Sequence, residues 1–243
     1  MTLKNKTAIV TGASGNGLGR SIALTLAKEG ANVVINYNKN KSKANEVVRY
    51  IRGNNGIAVA VKANIFIDKE CDNLVNETIN QFGNVDILII GPGAGWNMEP
   101  VDDLNIKKSL ADINNEILPV YNFFPKVLKA MYRQKWGRII GISVLASPPS
   151  PSYSYNVAKR SRANALLMAS DEAWKNNVTI NVLSPGPVNH IEKFDEAINL
   201  TNKDEDWINR KNITPQDIAE TVLFLCSEEA AYITGTEINF QFK

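Results

Sequence analysis

Seven short runs rich in Val and Ile recur along the chain, separated by amphipathic stretches. They are 7–11 (TAIVT), 32–37 (NVVINY), 57–63 (IAVAVKA), 85–90 (VDILII), 137–143 (GRIIGIS), 178–184 (VTINVLS) and 236–240 (TEINF). Their near-continuous apolar character, without strict alternation, predicts strands covered on both faces, as a parallel sheet demands. Between them, LGRSIALTLAKEG sets Ile22 and Leu26 one turn apart and closes on Lys28 and Gly30, a helix with its stop signal. Strand and helix alternating from end to end predict an α/β doubly wound sheet of about seven strands with helices on both faces. Residues 1–243 form a single domain in this reading, because no Pro-, Gly- or Ser-rich linker and no fixed-period repeat divides them. One polar, charged segment interrupts the rhythm at 189–212. Following a strand's carboxyl end, it is a candidate substrate lid, taken as 187–212.

Composition narrows the classes of function. The chain of 243 residues is 44% hydrophobic and 21% charged with a net charge of +2, which suits neither disorder nor a nucleic-acid surface. Cys71 and Cys226 belong to no CxxC or Cys/His cluster, so free thiols and no metal site are expected. The opening residues enter a strand without a signal-peptide core, and no apolar run approaches the ~18 residues of a membrane helix. A cytoplasmic protein with no membrane partner is the expectation.

The first strand runs into TGASGNGLGR and then a helix. Gly12, Gly17 and Gly19 in a strand-to-helix turn let backbone approach a pyrophosphate, whose charge suits the positive helix N-terminus. Within a βαβ unit this predicts dinucleotide binding. The second strand ends in INYNKNKSK, with no Asp or Glu to accept the ribose hydroxyls of NAD. Asn36, Asn38, Lys39 and Lys41 offer donors and positive charge for a 2′-phosphate, so NADP(H) is favoured over NAD(H). The alternative is that these lysines only solvate a helix start.

Tyr155 and Lys159 follow the fifth strand at helical spacing i, i+4, which puts them on one face. A nearby ammonium stabilises a phenolate, so Lys159 is expected to lower the Tyr155 pKa from its usual ~10 and prepare it for acid/base work.

The glycine loop, Tyr155-x-x-x-Lys159 and LSPGPV (183–188), in that order, resemble the short-chain dehydrogenase/reductase family over nearly the whole chain. TPQDIAETVLFLCSEEAAYITGTEI resembles the family's closing helix and strand. The chain is most similar to 3-oxoacyl-carrier-protein reductase-like and sugar or polyol dehydrogenase-like members. The resemblance implies a Rossmann-type sheet, a nicotinamide cofactor, and reversible reduction of a small-molecule carbonyl to an alcohol. It implies cofactor contacts from Gly12, Ser14, Gly17, Leu18 and Gly19, and from Asn36, Tyr37, Asn38 and Lys39. Asn64, Ile65, Gly91 and Gly93, then Tyr155, Lys159, Pro185, Gly186 and Val188, complete that set. Lys159 would also hold the nicotinamide ribose. A homo-oligomer, tetramer or dimer, is implied too, with the small residues Ala158, Ala163, Ala165 and Ala169 allowing close helix packing.

Several expected parts are displaced. The family's substrate-oxygen Ser falls on Val144, one residue beyond Ser143. Strand alternation aims Ser143 away unless a bulge or a shortened loop restores it, whereas its interval of 12 residues to Tyr155 is close to the family spacing. Ser143 is thus the catalytic candidate with a structural role equally open, and Ser147 is a second choice. The fourth-helix Asn of the proton relay falls on Glu116, beside Asn115, and a carboxylate there needs a partner. GPGAG (91–95) replaces the usual Asn-Asn-Ala-Gly, and Asn64 replaces an adenine-contacting Asp. His190 lies near a cofactor-contacting Thr position, with an exposed loop histidine as the alternative. Trp96, Asn97 and Met98 could line a pocket or merely pack. Besides the reductase, these departures leave open a catalytically degenerate, regulatory or structural NADP(H)-binding member and a Glu116-assisted isomerase or dehydratase.

Overall fold

The computed structural model describes residues 3–93, 95, 99–145, 152–203 and 212–241. The elements in chain order are β1 (Thr7–Val10), α1 (Leu18–Lys28), β2 (Asn32–Tyr37), α2 (Lys41–Gly53), β3 (Ile57–Lys62), α3 (Asp68–Phe82) and β4 (Ile87–Ile90). A 3₁₀ turn (Val101–Asp103) leads into α4 (Ile106–Gln134), β5 (Gly137–Ile142), α5 (Tyr153–Leu167), α6 (Ser170–Trp174) and β6 (Val178–Pro185). The chain closes with α7 (Phe194–Asn202), α8 (Pro215–Cys226) and β7 (Glu237–Phe240). The apolar runs match these strands to within two residues at every end.

All seven strands are parallel, in the order β3-β2-β1-β4-β5-β6-β7. The order reverses at β1, which pairs with β2 on one side and β4 on the other, so a crevice opens beyond the carboxyl ends there. Strand side chains alternate between two cores. Ala8, Val10 and Ile140 face α1, α2 and α8, whereas Ile9, Ile139 and Ile180 face α3, α4, α5 and α6. This double burial is why each strand reads as a continuous apolar run.

Local chemistry sets the helix ends that matter for the crevice. Pro215 starts α8 behind a capping box in which the Asp217 carboxylate accepts from the Thr214 amide at 2.8 Å. By contrast, Gly17 caps α1 with no side-chain bond, and the first turn of α1 carries no acidic residue. Gly12 turns the chain at φ +65, and a Cβ there would collide with the Pro92 ring. Only glycine lets the β1–α1 and β4 loops close on each other. No described helix is long and apolar enough to cross a membrane.

Candidate active site

A cavity of about 230 Å³ lies at the carboxyl ends of β1, β5 and β6. Gly17 and Leu18 from the glycine turn, Tyr155 and Lys159 from α5, and Pro185, Gly186 and Val188 after β6 share its wall. Gly91, Ser143, Val144 and His190 line it as well. Helical spacing brings Lys159 Nζ to 5.6 Å from the Tyr155 ring centre. His190 is exposed at the rim, where its Nδ1 lies 3.6 Å from the position a Cβ on Gly17 would take.

The glycine turn is held from beneath. Asn36, only 2% exposed, accepts from the Gly12 amide at 3.3 Å and donates to the Ala63 carbonyl at 3.0 Å. Its donors therefore point into the β2–β3 junction and not toward a 2′-phosphate, which corrects the sequence expectation for this residue. Asn38 and Lys39 are exposed beyond the strand tip, while Tyr37 and Ile65 are buried in the core. Asn64 is half-buried, and its side-chain oxygen accepts from the Phe66 amide at 3.2 Å. Ser14 is half-buried in the turn beside the uncapped N-terminus of α1.

The segment after β6 fastens onto this turn. The Ile191 amide donates to the Asn16 carbonyl at 3.1 Å, and the Arg20 guanidinium donates to the Ile191 carbonyl. Asn16 Nδ2 donates to the Glu192 carboxylate at 3.0 Å, while Asn16 Oδ1 accepts from Lys43 Nζ at 2.7 Å. Of the expected lid, residues 187–203 and 212 are described and include α7; residues 204–211, like Ser147, Trp96, Asn97 and Met98, lie outside the described residues.

Ser143 lines the cavity but is bonded within its own chain. Its hydroxyl donates to the Lys159 carbonyl at 3.0 Å, and its side chain is buried. The amides of Ser143 and Leu145 bond the carbonyls of Leu183 and Pro185, at 2.8 and 2.9 Å. Two residues on one strand thus match two on the other, so no bulge restores the register. Val144, which falls on the family's serine slot in the sequence, also lines the cavity and its side chain brings no donor.

Glu116 is the larger departure. Its carboxylate is fully buried, 2.9 Å from Lys159 Nζ and 2.8 Å from Arg162 Nη2. Asn115 is only partly buried, so Glu116 is the α4 residue that enters the site. Pro119, inside α4, has no amide proton for the Asn115 carbonyl, which loses its helical bond one turn away. Arg162 escaped the sequence reading. The signal was present: a carboxylate expected inside the fold demands a cation, and Arg162 follows Lys159 by i+3 on the inward side of α5.

The electrostatics follow from this trio. Burial lowers the Lys159 pKa and Arg162 lowers it further, with Glu116 opposing both. Burial raises the Tyr155 pKa, Glu116 raises it more, and Arg162 acts against them. The direction is opposite to the expected lowering, because the site is desolvated and Glu116 raises the phenol further against the opposing Arg162. Tyr155 stays protonated at neutral pH.

A family model described as Enoyl-(Acyl carrier protein) reductase matches residues 12–241. The chain belongs to the short-chain dehydrogenase/reductase family. It is 34% identical to a 3-oxoacyl-(acyl-carrier-protein) reductase of Staphylococcus epidermidis, covering 97% of both chains. A 3-oxoacyl-(acyl-carrier-protein) reductase of Synechocystis is 32% identical, with 98% of this chain and 96% of that one covered. The crystal structure of a hydroxysteroid dehydrogenase from Escherichia coli superposes with a TM-score of 0.82 at 28% identity, over 99% of this chain and 97% of that one. A Serratia marcescens short-chain dehydrogenase/reductase mutant shares the fold, with a TM-score of 0.83 at 23% identity over 99% and 98% of the two chains. As a member of this family the chain is an oxidoreductase that uses a nicotinamide cofactor. The residues present fit that group: the uncapped, acid-free N-terminus of α1 opens beside the cavity that Tyr155 and Lys159 line.

Proposed function

We propose that this enzyme reduces the keto group of a 3-oxoacyl thioester, with NADPH preferred over NADH as reductant. The observation that carries the reading is the single cavity bounded by the glycine turn, Tyr155 and Lys159. The relatives named as 3-oxoacyl-(acyl-carrier-protein) reductases support the substrate class. Gly17, Leu18 and the Pro185–Val188 segment would hold the cofactor, and Lys159 would bind its ribose. Bound there, the nicotinamide supplies the hydride.

Tyr155 donates the proton to the carbonyl oxygen. Tyr155 is protonated at neutral pH and so can act as the acid of the reductive direction, while burial and Glu116 move its pKa away from the working range. With Val144 beside it and the Ser143 hydroxyl engaged by Lys159, Tyr155 holds the substrate oxygen without a serine donor. A missing oxyanion donor costs about 10²–10³ in rate in other enzymes, so turnover should be modest.

Two features support NADPH. No carboxylate stands at the tip of β2, and Lys43 places positive charge beside the glycine turn through Asn16, with Lys39 exposed beyond the strand tip. A homo-oligomer is supported by exposed Ile106, Leu110 and Tyr121, which fall on one stripe of α4. The small residues named from the sequence are less suited to that contact, since Ala158 and Ala163 are buried within their own chain.

Loss of NADPH absorbance in the presence of acetoacetyl-coenzyme A tests the reading, with NADH in parallel. Turnover with NADPH, weaker with NADH, is expected. Reduction of simple ketones but not of the thioester would move the substrate class, and equal use of NADH would reject the 2′-phosphate argument.

A further inference from the structure

A buried carboxylate between two buried cations needs a reason. Glu116 is held by Lys159 and Arg162, and all three side chains are inaccessible or nearly so. The remaining donors of Arg162 are also spent. Its Nη1 donates to the Gly91 carbonyl at 2.7 Å, its Nη2 to the Pro92 carbonyl, and its Nε to the Glu116 backbone carbonyl at 3.1 Å. One guanidinium therefore ties the turn after β4 to α4 and α5. That turn has adapted to the carboxylate, because a Cβ on Gly93 would overlap the Glu116 carboxyl group.

We propose that Glu116 and Arg162 are a matched pair of positioning residues, in which Arg162 anchors the Glu116 carboxylate and Glu116 orients the Lys159 ammonium toward the cofactor ribose and Tyr155. This rests on the reading of Tyr155 and Lys159 given above. Geometry favours it over a merely structural ion pair. An ammonium has three donors, and one fixed on Glu116 sets the directions of the other two. Arg162 has no donor directed at the cavity, so its influence on the site passes through Glu116 and through the Gly91–Pro92 turn. The net charge of the trio remains that of one cation. Glu116 alone would cancel Lys159, and Arg162 alone would set two buried cations side by side.

Among the described residues, the charged groups acting on Lys159 are Glu116 from α4 and Arg162 from α5, and Tyr155 from α5 and His190 from the segment after β6 line the same cavity. Removing Glu116 leaves Arg162 to repel the ammonium, so Lys159 loses its proton at lower pH. Removing Arg162 leaves Glu116 to hold it, so the proton is lost at higher pH. The two changes push the alkaline limb in opposite directions, and the loss of affinity below that limb, where Lys159 is charged in every variant, reports its orientation.

The test uses Glu116→Asn, Arg162→Leu, the double variant, and Gly93→Ala with and without Glu116→Asn. Each is melted without cofactor and titrated with NADPH by nucleotide fluorescence between about pH 7 and 10. Each single charge change should lower the melting temperature by roughly 10 °C. The double variant should recover roughly 5 °C of the summed loss, because it leaves no unpaired charge. Gly93→Ala should destabilise the wild-type protein and be tolerated beside the shorter Asn. Glu116→Asn should weaken NADPH on the order of tenfold and bring the alkaline loss of affinity to lower pH, with Arg162→Leu moving that loss upward. Additive melting losses, or alkaline limbs that coincide across all variants, would overturn the proposal. Where a single variant does not fold, a double variant that folds and binds NADPH still shows the coupling, and a double variant that also fails to fold would overturn it. Tyr155→Phe with undiminished turnover would instead reject the acid/base reading, and the melting and NADPH titrations would still judge the pair.

Discussion

Replacing Asn36 should loosen the phosphate-binding turn from below without touching the reacting groups. The side chain makes three contacts: the Gly12 amide at 3.3 Å, and the carbonyls of Ala63 and Val61 at 3.0 and 3.5 Å. The last is at the limit of a hydrogen bond, so about two effective bonds are lost in Asn36→Ala. At about 1 kcal/mol each, plus the cost of leaving a buried partner unsatisfied, the loss is about 2–3 kcal/mol. For a chain of this size that lowers the melting temperature by roughly 5–10 °C. NADPH affinity should fall with it, while kcat at saturating cofactor stays near wild type. Asn36→Asp goes further at neutral pH, because a carboxylate would face two carbonyl oxygens with nothing to donate. Burial raises the pKa of such a carboxyl above its unfolded value of about 3.9, so the folded state binds the proton more tightly. Its deficit is then complete well above the raised folded value and shrinks as pH falls through it. Thermal melts of both variants at about pH 5 and 8 separate the two effects. An alanine variant that melts with the wild type, or an aspartate variant equally stable at both pH values, would refute the hydrogen-bond argument.

Tyr155→Phe should abolish NADPH-dependent turnover while leaving cofactor affinity within about threefold, measured by absorbance and fluorescence titration. Val144→Ser should raise kcat on the order of tenfold by adding a donor at the substrate oxygen, whereas Ser143→Ala should cost about 1 kcal/mol of stability and little rate. Burial pushes both thiols up to about 12, so Cys71 and Cys226 should resist an aromatic disulfide reagent at pH ~8 until the chain is unfolded. Leu110→Asp, on the exposed stripe of α4, should shift the light-scattering mass toward a single chain; an unchanged mass would place the contact elsewhere.

The sheet was readable because both of its faces are covered. A strand such as Ile87–Ile90 then has no polar side to dilute the apolar run. Tyr155 and Lys159 were readable because the periodicity of one helix relates them. The pairing that was missed depends on elements far apart in sequence. Glu116 and Arg162 are 46 residues apart and meet only when α4 packs on α5, so periodicity marks each as inward-facing without pairing them. Asn36 was placed on the correct strand, but alternation does not tell whether a polar side chain at a strand tip meets solvent or a neighbouring carbonyl. The register of Ser143 stayed open in the sequence for the same reason: only the β5–β6 ladder shows whether a residue has been inserted.

The fastening of the post-β6 segment onto the glycine turn has a consequence in time. Asn16 and Glu192 are separated by 176 residues, so at about 5–20 residues per second the second leaves the ribosome roughly 10–35 s after the first. During that interval β1, α1 and β2 can pair, but the turn has no outer wall. The nascent chain should therefore pair β1, β2 and β3 well before it can retain a nucleotide, and β7, which follows Glu192, closes the sheet only afterwards.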